Sequence, residues 1–210
     1  MLPWIVLTSA ALALNLFGEW RKLRVLVWLG KPLASTGFVL AAATRHAHET
    51  RYGTAILIAL LLSFVGDILL IPKSQRIFKV GILAFLAGHL AFCVAFIIRG
   101  LSLPWTLGAA LPLLAAGIPI ARWIVTRAPA KLRGAVAVYI GVLSVMVSLA
   151  VGSHGRHPDL VLPLAAVAFY LSDLSVALNR FVRPALSHRL WGLPLYFGAQ
   201  LLFAWTVWIH

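Results

Sequence analysis

Apolar stretches long enough to cross a bilayer follow one another along this chain, with only short connections between them. A helix needs about 20 mostly apolar residues to cross the hydrocarbon. Eight stretches qualify: residues 2–17, 25–43, 54–71, 77–98, 103–121, 133–151, 159–178 and 190–208. The first sits where a secretion signal would. Its charges, Arg21, Lys22 and Arg24, follow the apolar run instead of preceding it, so it reads as a span. The fifth holds Pro104, Pro112 and Pro119 and is expected to kink. The reading is all-α: a polytopic integral membrane bundle of eight transmembrane helices, forming a single domain over residues 1–210. Composition agrees, with 62% hydrophobic and 11% charged residues. A soluble domain carries about 25% charged residues. That excludes a soluble enzyme and a disordered chain. The single cysteine, Cys93, lies in an apolar run, excludes an intrachain disulfide and reads as core packing.

The formal net charge is +13. The basic residues punctuate apolar runs and form no patch, so no nucleic-acid partner is expected. Thirteen of the 18 lysines and arginines fall around the connections after spans one, three, five and seven. By the positive-inside rule these connections are cytoplasmic, and both termini lie on the non-cytoplasmic side. An even number of spans requires both termini on one side, so the two counts agree. No sorting signal is present, which fits a plasma membrane or bacterial inner membrane.

Two acids lie inside spans, where an ionised group costs roughly 2.5–3.5 kcal/mol on insertion scales. They are Asp67 in span three and Asp173 in span seven. Glu19, Glu49 and Asp159 fall at span ends or in connections and read as solvated. Asp67 is six residues before Lys73, and Asp173 seven before Arg180. At 1.5 Å per residue each is ~10 Å from its cytoplasmic end. Lys31 shares that level, with Asn15, His89 and Gln200 at or somewhat below it. No similar set appears in the outer half, which points to a cavity opening toward the cytoplasmic leaflet. Helical spacing aligns Ala166, Tyr170, Asp173, Ala177 and Arg180 on span seven. It aligns Ser63, Gly66 and Asp67 on span three, Phe85, Gly88 and His89 on span four, and Tyr196 with Gln200 on span eight. Lys31 stands one turn from Ser35.

No metal site is expected. His46-x-His48 and His154-x-x-His157-x-Asp159 have ligand-like spacings but read as solvated loop histidines, and no buried His-x-x-x-His pair exists. No P-loop, dinucleotide fingerprint or nucleophile elbow occurs. On the residues alone two classes stay open. One is an intramembrane enzyme. The other is a small proton-coupled transporter, since buried Asp and Lys residues commonly mark proton paths. A parallel four-plus-four repeat would suit the transporter, but spans three and seven share little beyond the aspartate.

The chain resembles the YhhN family of multispan membrane proteins, which includes lysoplasmalogenases. The features are Lys31-Pro32-Leu33, Gly66-Asp67, Phe85 with Gly88-His89, Tyr139 and Met146, Ser172-Asp173 with Ala177, Asn179 and Phe181, and Tyr196 with Gln200. The match runs from about residue 25 to 205. Phe197 departs from it, standing where a second tyrosine is expected. The resemblance implies an eight-helix ether hydrolase. It would cleave the vinyl ether bond of lysoplasmalogens, giving a fatty aldehyde and a glycerophospho-alcohol.

Vinyl ether hydrolysis begins with proton delivery to the enol carbon and passes through an oxocarbenium-like cation. Two carboxylates in a low-dielectric site can divide the work of acid and anion, as in glycosidases. Asp67 lies near a helix C-terminus, where the dipole disfavours charge, and is expected to be the proton donor. Asp173 is expected to be the anion and base, held ionised by Lys31. His89 and Gln200 are expected to orient water or substrate. Tyr139, Tyr170 and Tyr196 would line the pocket, with Asn179 beside them as a further substrate-binding residue. Arg180, Arg183 and Lys73 would meet the lysophospholipid phosphate. No cofactor is required.

Overall fold

The computed structural model describes residues 1–72 and 74–207. Lys73, read above as a marker and phosphate contact, and residue 208 of the eighth predicted span lie outside the described residues. The chain folds into eight long helices: α1 (Leu2–Arg21), α2 (Arg24–Ala43), α3 (Arg51–Leu69), α4 (Gln75–Arg99), α5 (Leu103–Arg127), α6 (Arg133–Arg156), α7 (Val161–Ala177) and α8 (Leu186–Thr206). Each overlaps one predicted stretch. Two 3-10 turns, Ala47–Glu49 and Ala130–Leu132, sit in connections, and a π-helical turn at Leu178–Val182 prolongs α7. Among the described residues seven helices, α1 to α7, are long and apolar enough to cross a membrane. The predicted eighth span is a helix but is not among them. Arg189, Pro194, Tyr196 and Gln200 dilute its apolar run.

Short connections force antiparallel hairpins. Lys22 takes a left-handed backbone (φ 58°), and the Leu23 N–H reaches back to the Gly18 carbonyl at 2.8 Å, closing α1 before α2 begins. Thr50 caps α3 by accepting the Gly53 N–H at 2.9 Å. Pro32, Pro112, Pro119 and Pro194 lie inside their helices. The hairpins α1–α2, α3–α4, α5–α6 and α7–α8 are the most extensive pairings. α2 also packs on α3 and α8, and α6 on α4 and α7. α5 stands outermost, with only Gly117 and Ile124 buried. Leucines, valines, isoleucines and tryptophans cover the outer surface, as lipid-facing residues do. Phe38, Phe92, Phe96, Phe169, Phe197 and Phe203 fill the centre.

The end of the bundle bearing the chain termini is tied by polar contacts that the sequence reading placed in solvent or missed. Asp159 is buried, with Oδ2 3.1 Å from Arg99 Nη2, and its Oδ1 accepts the Val161 N–H at the start of α7. Its own N–H donates to His154 Nδ1 at 3.0 Å. Tyr52 and Thr206 share a hydrogen bond of 2.6 Å between α3 and α8. The half of the bundle that bears the termini therefore has its own polar set, where the sequence reading expected none. At the opposite end Glu19 of α1 pairs with Arg189 of α8 instead of standing free.

Close approach of α7 and α8 depends on Gly192. A Cβ there would collide with Ser175, whose own Cβ lies 2.7 Å from that position and whose hydroxyl donates to the Ser172 carbonyl. Gly192→Ala is expected to destabilise the protein by about 1–3 kcal/mol through overpacking. Gly108→Ala, where a Cβ meets nothing within 4 Å, is expected to be neutral or stabilising by up to ~1 kcal/mol. Thermal unfolding in detergent checks the pair; equal effects would contradict this packing.

Candidate active site

The polar span residues gather into two adjoining centres. Asp67, 1% exposed, is the hub of the first. Lys31 Nζ lies 3.0 Å from its Oδ1. The hydroxyls of Ser35 and Tyr196 both donate to its Oδ2 at 2.6 Å. Three donors from α2 and α8 thus converge on one carboxylate of α3, and both oxygens are taken. That donor set is complementary to a carboxylate anion. Gly66 makes the fit possible: a Cβ there would lie 2.7 Å from the Phe85 ring, which packs edge-on against Tyr196 at 5.8 Å.

Asp173 is the hub of the second centre. Tyr139 of α6 donates to its Oδ2 at 2.7 Å, and His89 Nε2 of α4 lies 3.2 Å from the same oxygen without hydrogen-bond alignment. His89 Nδ1 is 2.6 Å from the Phe85 carbonyl. A carbonyl only accepts, so Nδ1 carries a proton. Nε2 faces the carboxyl either as a lone pair or, on an imidazolium, as a second N–H. The Asp173 Oδ1 has no hydrogen-bond partner among the described residues, and this side chain is 10% exposed against 2% for Asp67.

Aromatic rings join the two centres. The Phe169 ring lies 4.5 Å from His89 and 5.5 Å from Tyr196, and His89 lies 5.4 Å from Tyr139. Tyr196 is within electrostatic reach of both carboxylates. Asp67 lies inside this polar cluster, while Lys31 and Asp173 are partly exposed at its edge. Two shallow apolar grooves lie elsewhere, one lined by Pro104, Trp105, Gly108, Ala109 and Val151, the other by Leu16, Phe17, Trp20, Leu186 and Leu190.

Several expectations change. Lys31 pairs with Asp67, not Asp173, because α2 packs on α3 and α8 while Asp173 faces α4 and α6. Asp67 has no free oxygen with which to deliver a proton, so geometry favours the opposite division of roles. The buried face of α7 is Leu162, Ala165, Ala166, Phe169, Ser172 and Ser175, one step round the helix from the stripe predicted through Asp173. Asn179 lies in the π turn, and its Oδ1 accepts the Ala185 N–H at 2.9 Å, a structural bond outside the cluster. Arg180 is exposed, stacked on Phe78 at 4.3 Å. Tyr170 is half-buried, its hydroxyl facing Gly117 of α5, and does not join either carboxylate. Gln200 is buried beside Tyr196. Asn15 is buried on α1, its Nδ2 reaching the Val27 carbonyl at 3.5 Å. Ser35 and Phe169 were not singled out as site residues. Ser35's position one turn from Lys31 was its signal; Phe169, one phenylalanine in an apolar run, had none. His46, His48 and Glu49 bring one ligand atom each within 4.8 Å of one another, all exposed.

The sequence model of the YhhN family matches residues 26–207. A protein of Bos taurus named lysoplasmalogenase TMEM86A is 29% identical over 184 residues, covering 85% of this chain and 72% of that protein. The Homo sapiens protein of the same name is 32% identical over 196 residues, with the same shares covered. No solved structure matches. The matched region contains both carboxylate centres and every residue that donates to them, and on that extent the chain belongs to the YhhN family.

Proposed function

We propose that this protein is a membrane-embedded lysoplasmalogenase that hydrolyses the vinyl ether bond by dividing acid and anion between its two buried aspartates. The observation that carries the reading is the unequal hydrogen bonding of the pair. Both oxygens of Asp67 are occupied by Lys31, Ser35 and Tyr196. Asp173 keeps one oxygen, Oδ1, free of donors among the described residues, with His89 and Tyr139 at the other. The names of the similar proteins supply the substrate class.

In this mechanism Asp173 acts as the carboxylic acid and gives the proton on its Oδ1 to the outer enol carbon, forming a C–H bond. The ether-bearing carbon becomes an oxocarbenium centre. Asp67, a fixed anion nearby, stabilises it, and Lys31 keeps that charge in place. Water adds to the cation and returns one proton to Asp173. The hemiacetal then breaks its C–O bond to the glycerol; the hydroxyl proton passes to the departing alkoxide, and a fatty aldehyde remains. Tyr139 holds the Asp173 carboxyl in orientation through Oδ2. Arg180 lies seven residues beyond Asp173, about 10 Å along a helix, a span comparable with the phosphate–glycerol–ether segment of the substrate. Its guanidinium, centred 4.3 Å from the Phe78 ring, offers N–H groups to a phosphate, and Arg183 lies close by in sequence. We place α8 as the eighth span, both termini outside, and the site toward the cytoplasmic leaflet of a plasma or bacterial inner membrane. The arginines at that end support this orientation.

Aldehyde release from a lysoplasmalogen by purified protein is expected to fall at least a hundredfold in Asp173→Asn and in Asp67→Asn with folding intact, the scale a positioned acid contributes. Near wild-type turnover in both would refute the assignment. Removing Lys31 alone leaves a buried carboxylate without its counter-charge. Lys31→Met is therefore expected to cost about 3–5 kcal/mol of stability, and adding Asp67→Asn to recover most of it. A double-mutant cycle by thermal unfolding reads the coupling; additive losses would show that the two charges do not depend on each other.

A further inference from the structure

Gln200 is fully buried, and its amide oxygen has no hydrogen-bond partner among the described residues. Its amide nitrogen is the group that can bond the Tyr196 hydroxyl, which gives its own proton to Asp67 at 2.6 Å and so accepts. Leaving a buried amide oxygen unpaired costs free energy that an apolar side chain of the same size avoids. An unpaired acceptor matches a group that donates. A hydroxyl does. An ester, an ether or an ionised phosphate oxygen only accepts.

We infer that Gln200 is the specificity-determining residue that binds the free glycerol hydroxyl of a single-chain lipid, so that the site takes lysolipids and rejects two-chain ones. The inference rests on the lysoplasmalogenase reading. The geometry is consistent with it: in such a lipid the free hydroxyl is on the carbon next to the ether-bearing one, and Gln200 lies beside Tyr196, which reaches both carboxylate centres. A two-chain lipid replaces that hydroxyl by an acyl ester, which removes the donor that the amide oxygen needs.

The test uses two saturated-ether phosphocholines, which have no vinyl ether to cleave. One carries the free hydroxyl at the central glycerol carbon; the other carries hydrogen there. Binding to the full-length protein in nanodiscs is measured by competition with a fluorescent lysolipid. Intact protein is expected to bind the hydroxyl-bearing probe about tenfold or more tightly, the scale of one hydrogen bond lost to a buried partner. Gln200→Leu is expected to bind both probes equally and as weakly as the intact protein binds the deoxy probe. Gln200→Met, unbranched and close in length, carries the same expectation should the leucine variant fail to fold. A hydroxyl preference that survives in the variants, or that the intact protein lacks while binding both probes, overturns the role of Gln200 alone. Failure of the intact protein to bind either probe overturns the lysolipid reading beneath it.

Discussion

The contact between Lys31 and Asp67 is the interaction around which the site is organised. A carboxylate cannot stay ionised among packed helices without a counter-charge and enough donors to replace water. Lys31, Ser35 and Tyr196 provide both, and in doing so they fix α2, α3 and α8 in register. The second carboxylate solves the same problem differently. Asp173 has Tyr139 and His89 at one oxygen and no donor at the other. One centre is saturated with donors and the other leaves an oxygen open. The proposed division of roles rests on that difference.

The hairpin architecture makes this division possible. The first centre is built by α2, α3 and α8, the second by α4, α6 and α7. Phe85, Phe169 and Tyr196 stand between them. The Phe85 residue serves both: its ring packs on Tyr196 while its carbonyl fixes the His89 ring and leaves Nε2 toward Asp173. At the far end Arg99 and Asp159 anchor the start of α7, which carries Asp173.

Seven of the eight predicted spans were legible in the sequence because a membrane helix writes its length as an apolar run, whereas polar residues interrupt that run in α8. The polar residues of the site were legible because lipid makes any charge within such a run expensive, and counting from the basic ends ranked Asp67, Asp173, Lys31, His89 and Gln200 by depth. What counting cannot supply is which helices are neighbours. Lys31 lies at the level of both aspartates, and only the packing of α2 on α3 assigns it to Asp67. Asp159 fell in a connection and read as solvated, because its partner Arg99 is sixty residues away in the chain. The face of α7 was misplaced by one residue because alanines and phenylalanine alternate with polar groups on both stripes, so periodicity alone does not say which stripe is innermost.

The most direct measurement is a structure of the protein with a saturated-ether lysophospholipid bound in place of the cleavable substrate. The account places the ether-bearing segment against Asp173 Oδ1, with reacting atoms about 3–3.5 Å apart, while Lys31 remains on Asp67. An ether lying against Asp67 with Lys31 turned away, or a lipid bound only on the outer surface of the bundle, would contradict it.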